Sequence, residues 1–259
     1  TVTFPKTATT NLESGAVTLN LTEGDQLTVE QCLYGLLLKS ANEIANGLAE
    51  HISGSVSSFA DKMNARAKEL GCTDTHFANP NGLNNTEHYT TPRDMAIIAR
   101  AAFQNPTVAK VASTLSYEFP ATKKASARTI TMGHKMLYPN DSRYYDGIVA
   151  GKTGYTSKAG NTLATCAERD GLRLIAIIMK SSQTHYEDTK ALLDYGFALA
   201  EAGELSTSSS SGGSSQTTAG WHQDTTGWYY IKSDGTRAAN EWQTINGKEY
   251  WFDSNQYMA

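Results

Sequence analysis

Apolar residues recur with a helical period from Val29 to Leu48, at Val29, Cys32, Leu33, Leu36, Leu37, Ile44 and Leu48. Thr28 and Gln31 stand three apart just ahead of them, the spacing of a capping box. A helical region is therefore predicted here, with a break near Ser40. A second helix is predicted over Ser55–Leu70, where Phe59, Met63, Ala67 and Leu70 share a face and Gly71 supplies the C-terminal stop. A third follows Thr91, with Pro92 at its first position and Asp94 at the capping-box position. From Arg128 the pattern changes to strands, predicted over Thr129–Met132, Gly147–Gly151, Asn161–Arg169 and Leu172–Lys180. Asp170-Gly171 is a tight-turn signal, so the last two strands are expected to be antiparallel neighbours. A final helix from His185 to Ala202 carries Leu192, Leu193, Phe197 and Leu199. The arrangement is α+β, a helical cluster inserted before an antiparallel sheet that the last helix covers.

The patterning then stops. Residues 206–219 are almost wholly Ser, Thr and Gly and contain nothing from which to build a core. They divide the chain into an expected domain over residues 1–204, a linker over 205–219 and a short aromatic module over 220–259. Shifting the module by 21 residues lays Trp221 on Trp242, Tyr229 on Tyr250, Tyr230 on Trp251, Ile231 on Phe252, Ser233 on Ser254 and Ala238 on Ala259, an internal repeat.

Composition narrows the functions. A formal net charge of −4 gives no basic footprint for nucleic acid. The three cysteines, Cys32, Cys72 and Cys166, form no C-x-x-C and read as small buried apolar residues. The six histidines show no metal-ligand spacing, so no metal and no cofactor are expected. No apolar run reaches the length of a membrane span, and residues 1–20 lack the pattern of a secretory signal.

Two short motifs carry candidate chemistry: Ser40-Ala41-Asn42 beside the helical break, and Lys152-Thr153-Gly154 after the strand Gly147–Gly151. Either alone is weak. In this order and on these elements they match two of the three signatures of penicillin-binding proteins and serine β-lactamases. The stretches at 33–45 (LYGLLLKSANEIA), 71–83 (GCTDTHFANPNGL), 88–96 (HYTTPRDMA) and 151–160 (GKTGYTSKAG) extend the match. Together they resemble the D-alanyl-D-alanine carboxypeptidases among the low-molecular-weight penicillin-binding proteins, over about residues 2 to 200. The resemblance implies a transpeptidase-like α+β fold and acyl transfer on peptidoglycan stem peptides, with β-lactams as inhibitors. It makes Ser40 a proton relay, Asn42 a hydrogen-bond donor to the substrate and Lys152 the positive charge that lowers nearby pKa values. It also has Thr153 bind the terminal carboxylate, Gly154 allow close approach of the peptide, and Tyr155 lend its backbone N–H to the oxyanion hole.

The third signature, Ser-x-x-Lys, occurs nowhere in the 259 residues. The nearest imitations are Thr3 to Lys6 and Thr107 to Lys110. The resemblance places the missing nucleophile upstream of Thr1, so the chain by itself is expected not to acylate. A β-lactamase-like hydrolase and a non-catalytic wall-binding protein are the alternatives, and no glutamate-bearing loop of a class A β-lactamase is identifiable. His134, in Gly-His-Lys-Met-Leu, is expected to make a structural hydrogen bond, and Asn79–Gly82 is expected to be a scaffold turn. The aromatic module resembles the choline-binding and glucan-binding repeats of Gram-positive surface proteins. That implies wall attachment, with Trp221, Trp228, Tyr230, Trp242 and Trp251 as candidate contacts for choline or a wall glycan, outside the cell. The plainer reading makes these rings the core of stacked hairpins.

Overall fold

The computed structural model describes residues 1–10, 12–204, 219–223, 228–245, 247–252, 256 and 258. The chain separates into two compact units, Thr1–Leu205 and Ser206–Ala259. The predicted linker, apart from Ala219, and the repeat positions Ser254 and Ala259 lie outside the described residues.

In the first unit, strand β1 (Val2–Thr3) leads through the short helix α1 (Lys6–Thr9) to β2 (Gln26–Leu27), its antiparallel partner. Helix α2 (Val29–Lys39) opens on the expected capping box: Gln31 N–H donates to Thr28 Oγ1 at 3.1 Å, and Thr28 N–H to Gln31 Oε1 at 2.8 Å. The break falls at Ser40, after which α3 (Asn42–Ser53) begins. Helix α4 (Val56–Glu69) is capped by Ser55 and followed by Gly71 at φ +87°, as its sequence predicts.

Helix α5 (Pro92–Gln104) starts at Thr91, but its capping box is only half made. Asp94 N–H donates to Thr91 Oγ1 at 3.2 Å, while the Asp94 carboxylate turns inward and accepts from Asp74 N–H at 2.8 Å and Thr75 Oγ1 at 2.7 Å. The buried carboxylate thus holds the loop before α5 instead of the helix start. A further helix, α6 (Pro106–Ser113), was not anticipated. Asn105 Oδ1 caps it by accepting from Thr107 and Val108 N–H, and Pro106 occupies its first turn.

A hairpin of β3 (Ser116–Phe119) and β4 (Arg128–Thr131) precedes the main sheet of β5 (Ile148–Thr156), β6 (Gly160–Arg169) and β7 (Leu172–Ser181), antiparallel in that order. Asp170 and Gly171, at φ +50° and +78°, make the predicted two-residue turn. Strand β5 runs five residues beyond the predicted Gly151, so Lys152–Gly154 lies within a strand and not at its end. Helix α7 (His185–Glu201) closes the unit.

The sheet is buried on both faces. Leu193 and Phe197 of α7 pack on Leu163, Ala167 and Ala176, whereas Ala99 and Phe103 of α5 and Ala112 of α6 meet Ala150 and Cys166. A third cluster joins α2 and α3 to Phe4, Phe119 and Ile130. All three cysteines are free and buried, as expected.

The second unit contains two antiparallel hairpins, β8 (Gly220–Gln223) with β9 (Trp228–Ile231) and β10 (Glu241–Ile245) with β11 (Lys248–Phe252). Trp221 stands opposite Tyr230 and Trp242 opposite Trp251, so the 21-residue repeat falls on equivalent hairpin positions. Trp221 and Tyr230 pack against the small core of Ala238, Ile245 and Phe252. Trp228 and Trp242 are 44% and 64% exposed.

Gly47 shows how tightly the first unit is assembled. In a helix interior Gly→Ala ordinarily gains about 1 kcal/mol, but a Cβ here would overlap the buried ring of Phe4. Overpacking of that kind costs about 1–3 kcal/mol. Gly47→Ala is therefore expected to lower the urea midpoint, and an unchanged or raised midpoint would show that Phe4 moves aside freely.

Candidate active site

Ser40 owes its position to the way α2 ends. It adopts a left-handed conformation (φ +56°, ψ +38°) that is uncommon for a residue with a Cβ, and its N–H closes on Leu36 O at 3.0 Å. The chain then turns through extended Ala41 into α3. Across from this turn, Lys152 on β5 donates from Nζ to Ser40 Oγ and, at 2.5 Å, to its neighbour's carbonyl Thr153 O. The two motifs predicted from sequence, 112 positions apart, are thus in direct contact.

Burial sets the electrostatics of this pair. With no carboxylate among its hydrogen-bond partners, the Lys152 ammonium is pushed down from 10.5 to about 8 by desolvation. A substantial fraction is then neutral near physiological pH, the form that can accept a proton from a hydroxyl.

The reverse face of β5 is fitted to a histidine. A Cβ on Gly151 would overlap the His134 ring, which is fully buried and whose Nε2 lies 2.8 Å from Thr165 Oγ1 on β6. The structural hydrogen bond expected of His134 is therefore present. Burial pushes this imidazole down to about 4, with the charges of His185 and Lys152 acting in the same direction, so it is neutral around pH 7. Gly133 brings the preceding backbone close to Thr153: a Cβ there would stand 3.1 Å from Thr153 Oγ1. Sequence reading missed Gly133, Gly151 and Thr165; small residues alternating with the motif were the available signal.

The remaining predicted residues are placed as follows. Thr153, Gly154 and Tyr155 pair with Leu163, Thr162 and Asn161 of β6. A Cβ on Gly154 would overlap Thr162 Oγ1, so a side chain there would force that hydroxyl to move. Tyr155 is 70% exposed, and β5 is an edge strand of its sheet. Asn42 is buried, and its Nδ2 and backbone N–H both donate to Val17 O, at 2.9 and 3.0 Å. One amide proton of the expected substrate donor is thus already engaged. The Asn79–Gly82 turn closes with Gly82 N–H donating to Asn79 Oδ1 at 2.8 Å, and Asn81 ties it to Asn46 of α3 at 3.0 Å. The five candidate aromatic residues belong to the second unit. Among the described residues no group of three His, Cys, Asp or Glu side chains is placed to hold a metal ion.

The first unit, an antiparallel sheet covered by helices on both faces, has the fold of the DD-peptidases. The crystal structure of the Streptomyces K15 DD-transpeptidase superposes with a TM-score of 0.68 at 33% identity, covering 76% of this chain and 79% of that one. A D-alanyl-D-alanine carboxypeptidase from Mycobacterium tuberculosis H37Rv superposes with a TM-score of 0.67 at 32% identity, covering 83% and 78%. By sequence the chain is 32% identical over 193 residues to the D-alanyl-D-alanine carboxypeptidase DacF of Bacillus subtilis, covering 74% of this chain and 48% of DacF. It is 36% identical over 185 residues to DacB2 of M. tuberculosis, covering 68% and 60%. The chain thus spans about half to three fifths of these two relatives. The family model for D-alanyl-D-alanine carboxypeptidases, peptidase family S11, matches residues 1–183, and the chain belongs to that family.

The lowered Lys152 value fixes a sign for stability. The unfolded chain holds this proton up to about 10.5, whereas the folded chain releases it near 8, so folding gains stability as pH rises between those values. Below pH 8 the buried charge costs on the order of 3 kcal/mol. Lys152→Met is therefore expected to raise the melting temperature at pH 7 and to flatten the rise in stability from pH 8 to 10.5. A melting temperature below that of the parent at both ends of that range would overturn the assignment.

Proposed function

We propose that this chain carries most of the catalytic domain of a serine-type D-alanyl-D-alanine carboxypeptidase acting on peptidoglycan stem peptides at the bacterial cell wall. The observation that carries the reading is the contact between Lys152 Nζ and Ser40 Oγ, with the ammonium depressed by burial. On this reading the acylating serine is that of a Ser-x-x-Lys motif, which the 259 residues do not contain. Its hydroxyl attacks the carbonyl of the penultimate D-alanine and gives its proton to the lysine of the same motif, the peptide C–N bond breaks, and the terminal D-alanine leaves as an amine. The departing nitrogen takes its proton from Ser40 Oγ, and the proton released by the attacking hydroxyl returns through Lys152 to Ser40, so each group ends the step as it began. Water then attacks the ester, releasing the shortened peptide and restoring the serine.

The peptide lies antiparallel to the outer edge of β5, where main-chain groups add a strand to the ladder. Thr153 Oγ1 binds its terminal carboxylate, Tyr155 N–H faces the developing oxyanion, and Asn42 uses its second amide proton on the substrate backbone. A β-lactam enters by the same route and stops at the acyl-enzyme. The module at residues 220–259 holds the enzyme at its polymeric substrate outside the cell of a Gram-positive bacterium. Its exposed rings, Trp228 and Trp242 foremost, offer faces to a quaternary ammonium or a sugar.

Two experiments test this. Labelled penicillin is expected to leave no adduct on the 259-residue chain and to label stoichiometrically a protein extended by its native Ser-x-x-Lys segment. In the extended protein Lys152→Ala is expected to slow acylation by about 100-fold or more; a stoichiometric adduct on the unextended chain would reassign the nucleophile. Separately, residues 1–259 are expected to be retained on purified cell walls, and more strongly than residues 1–205. Equal retention refutes the anchor; retention on walls but not on choline resin identifies a wall glycan as its ligand.

A further inference from the structure

Glu43 follows Asn42 in the first turn of α3 and is the most deeply buried acidic side chain there, 1% exposed. Its Oε1 accepts from two backbone amides of one preceding segment, Leu19 N–H at 2.6 Å and Leu21 N–H at 3.4 Å. Between them Asn20 adopts a left-handed conformation (φ +60°), the backbone form that turns nearby N–H groups to one side around an anion. The flanking Leu19 and Leu21 side chains enter the core. Oε2 is buried and has no partner.

The same segment carries the acceptor for Asn42. Val17 O receives both the Asn42 backbone N–H and its Nδ2. On the far side, Arg128 of β4 donates from Nη2 to Leu19 O at 2.6 Å. The strap Val17–Leu21 is thereby held between Arg128 and Glu43, and its first carbonyl fixes the amide of Asn42. Removing Glu43 takes away the acceptor for two amides, and no other acceptor among the described residues meets them.

We propose that Glu43 is a positioning residue for Asn42, acting through the backbone of the Val17–Leu21 strap. The inference deepens the carboxypeptidase reading, because on that reading Asn42 donates to the substrate. An acid is a costly way to supply one acceptor, since burial raises the Glu43 carboxyl above its ordinary range despite the amides and the nearby Arg128. Arg128 on β4 is the charged group that acts on it, and Lys124 lines the same groove as Glu43.

The test is amide exchange and side-chain NMR on the 259-residue chain. Glu43→Met fills the same volume without an acceptor. It is expected to speed exchange at Leu19, Leu21 and Asn42 by at least tenfold and to shift the Asn42 Nδ2 resonances, with protection in β5–β7 unchanged. Glu43→Gln keeps an acceptor and is expected to restore both. Exchange within twofold of the parent in Glu43→Met, or a Glu43→Gln variant as perturbed as Glu43→Met, overturns the proposal. Should Glu43→Met fail to fold, the parent supplies the answer: the Leu19 amide and the Asn42 Nδ2 resonances are expected to move with one midpoint, that of the Glu43 carboxyl carbon, in a step that Glu43→Gln abolishes. Separate midpoints overturn it. Failure of the carboxypeptidase reading would appear in the penicillin experiment and leave these resonances unaffected.

Discussion

A lysine ammonium can be taken out of water only where the surrounding structure compensates, and Lys152 receives two oxygens, Ser40 Oγ and Thr153 O, and no carboxylate. That constraint organises the first unit. It requires α2 to stop at Ser40, it requires β5 to run past Gly151 so that the lysine faces the helices, and it requires the opposite face of β5 to be closed by His134 beneath Gly151. The helical cluster and the sheet are therefore joined by the same contact that lowers the lysine's proton affinity. Loss of tight packing at this junction would let water back to the ammonium and return its pKa toward the ordinary value.

Where local chemistry decides the structure, the sequence was readable. The Thr28–Gln31 box, Ser55 before α4, Pro92 at the start of α5 and Asp170-Gly171 between β6 and β7 act over three or four residues, and each does what its spacing implies. Where distant partners decide, the reading failed. Asp94 has the spacing of a capping box, yet its carboxylate is claimed by Asp74 and Thr75 across a loop. Helix α6 is only eight residues and is separated from α5 by Asn105 alone, so its apolar period was too short to separate from its neighbour. The two-residue strands β1 and β2 have no alternation to detect.

The same division runs through the site. Ser40, Asn42 and Lys152 are marked by motif, but their meeting is a property of the fold. Thr165, Gly133 and Gly151 shape the site by occupying or vacating space against His134 and Thr153, and a residue defined by what it leaves empty carries no motif. In the second unit the 21-residue period predicts equivalent hairpin positions, while ring exposure differs among them. Trp221 packs on Tyr250 and Phe252 of the other hairpin, at ring-centroid distances of 4.8 and 5.7 Å, whereas Trp242 is 64% exposed.

The left-handed backbone at Ser40 has an evolutionary side. A residue with a Cβ in that conformation is held about 1–2 kcal/mol above its preferred geometry, and glycine or asparagine would remove most of the strain. Selection for stability alone would carry position 40 toward glycine. A serine there spends folding stability to set a hydroxyl against Lys152 Nζ, so the residue records a compromise between a durable fold and that contact.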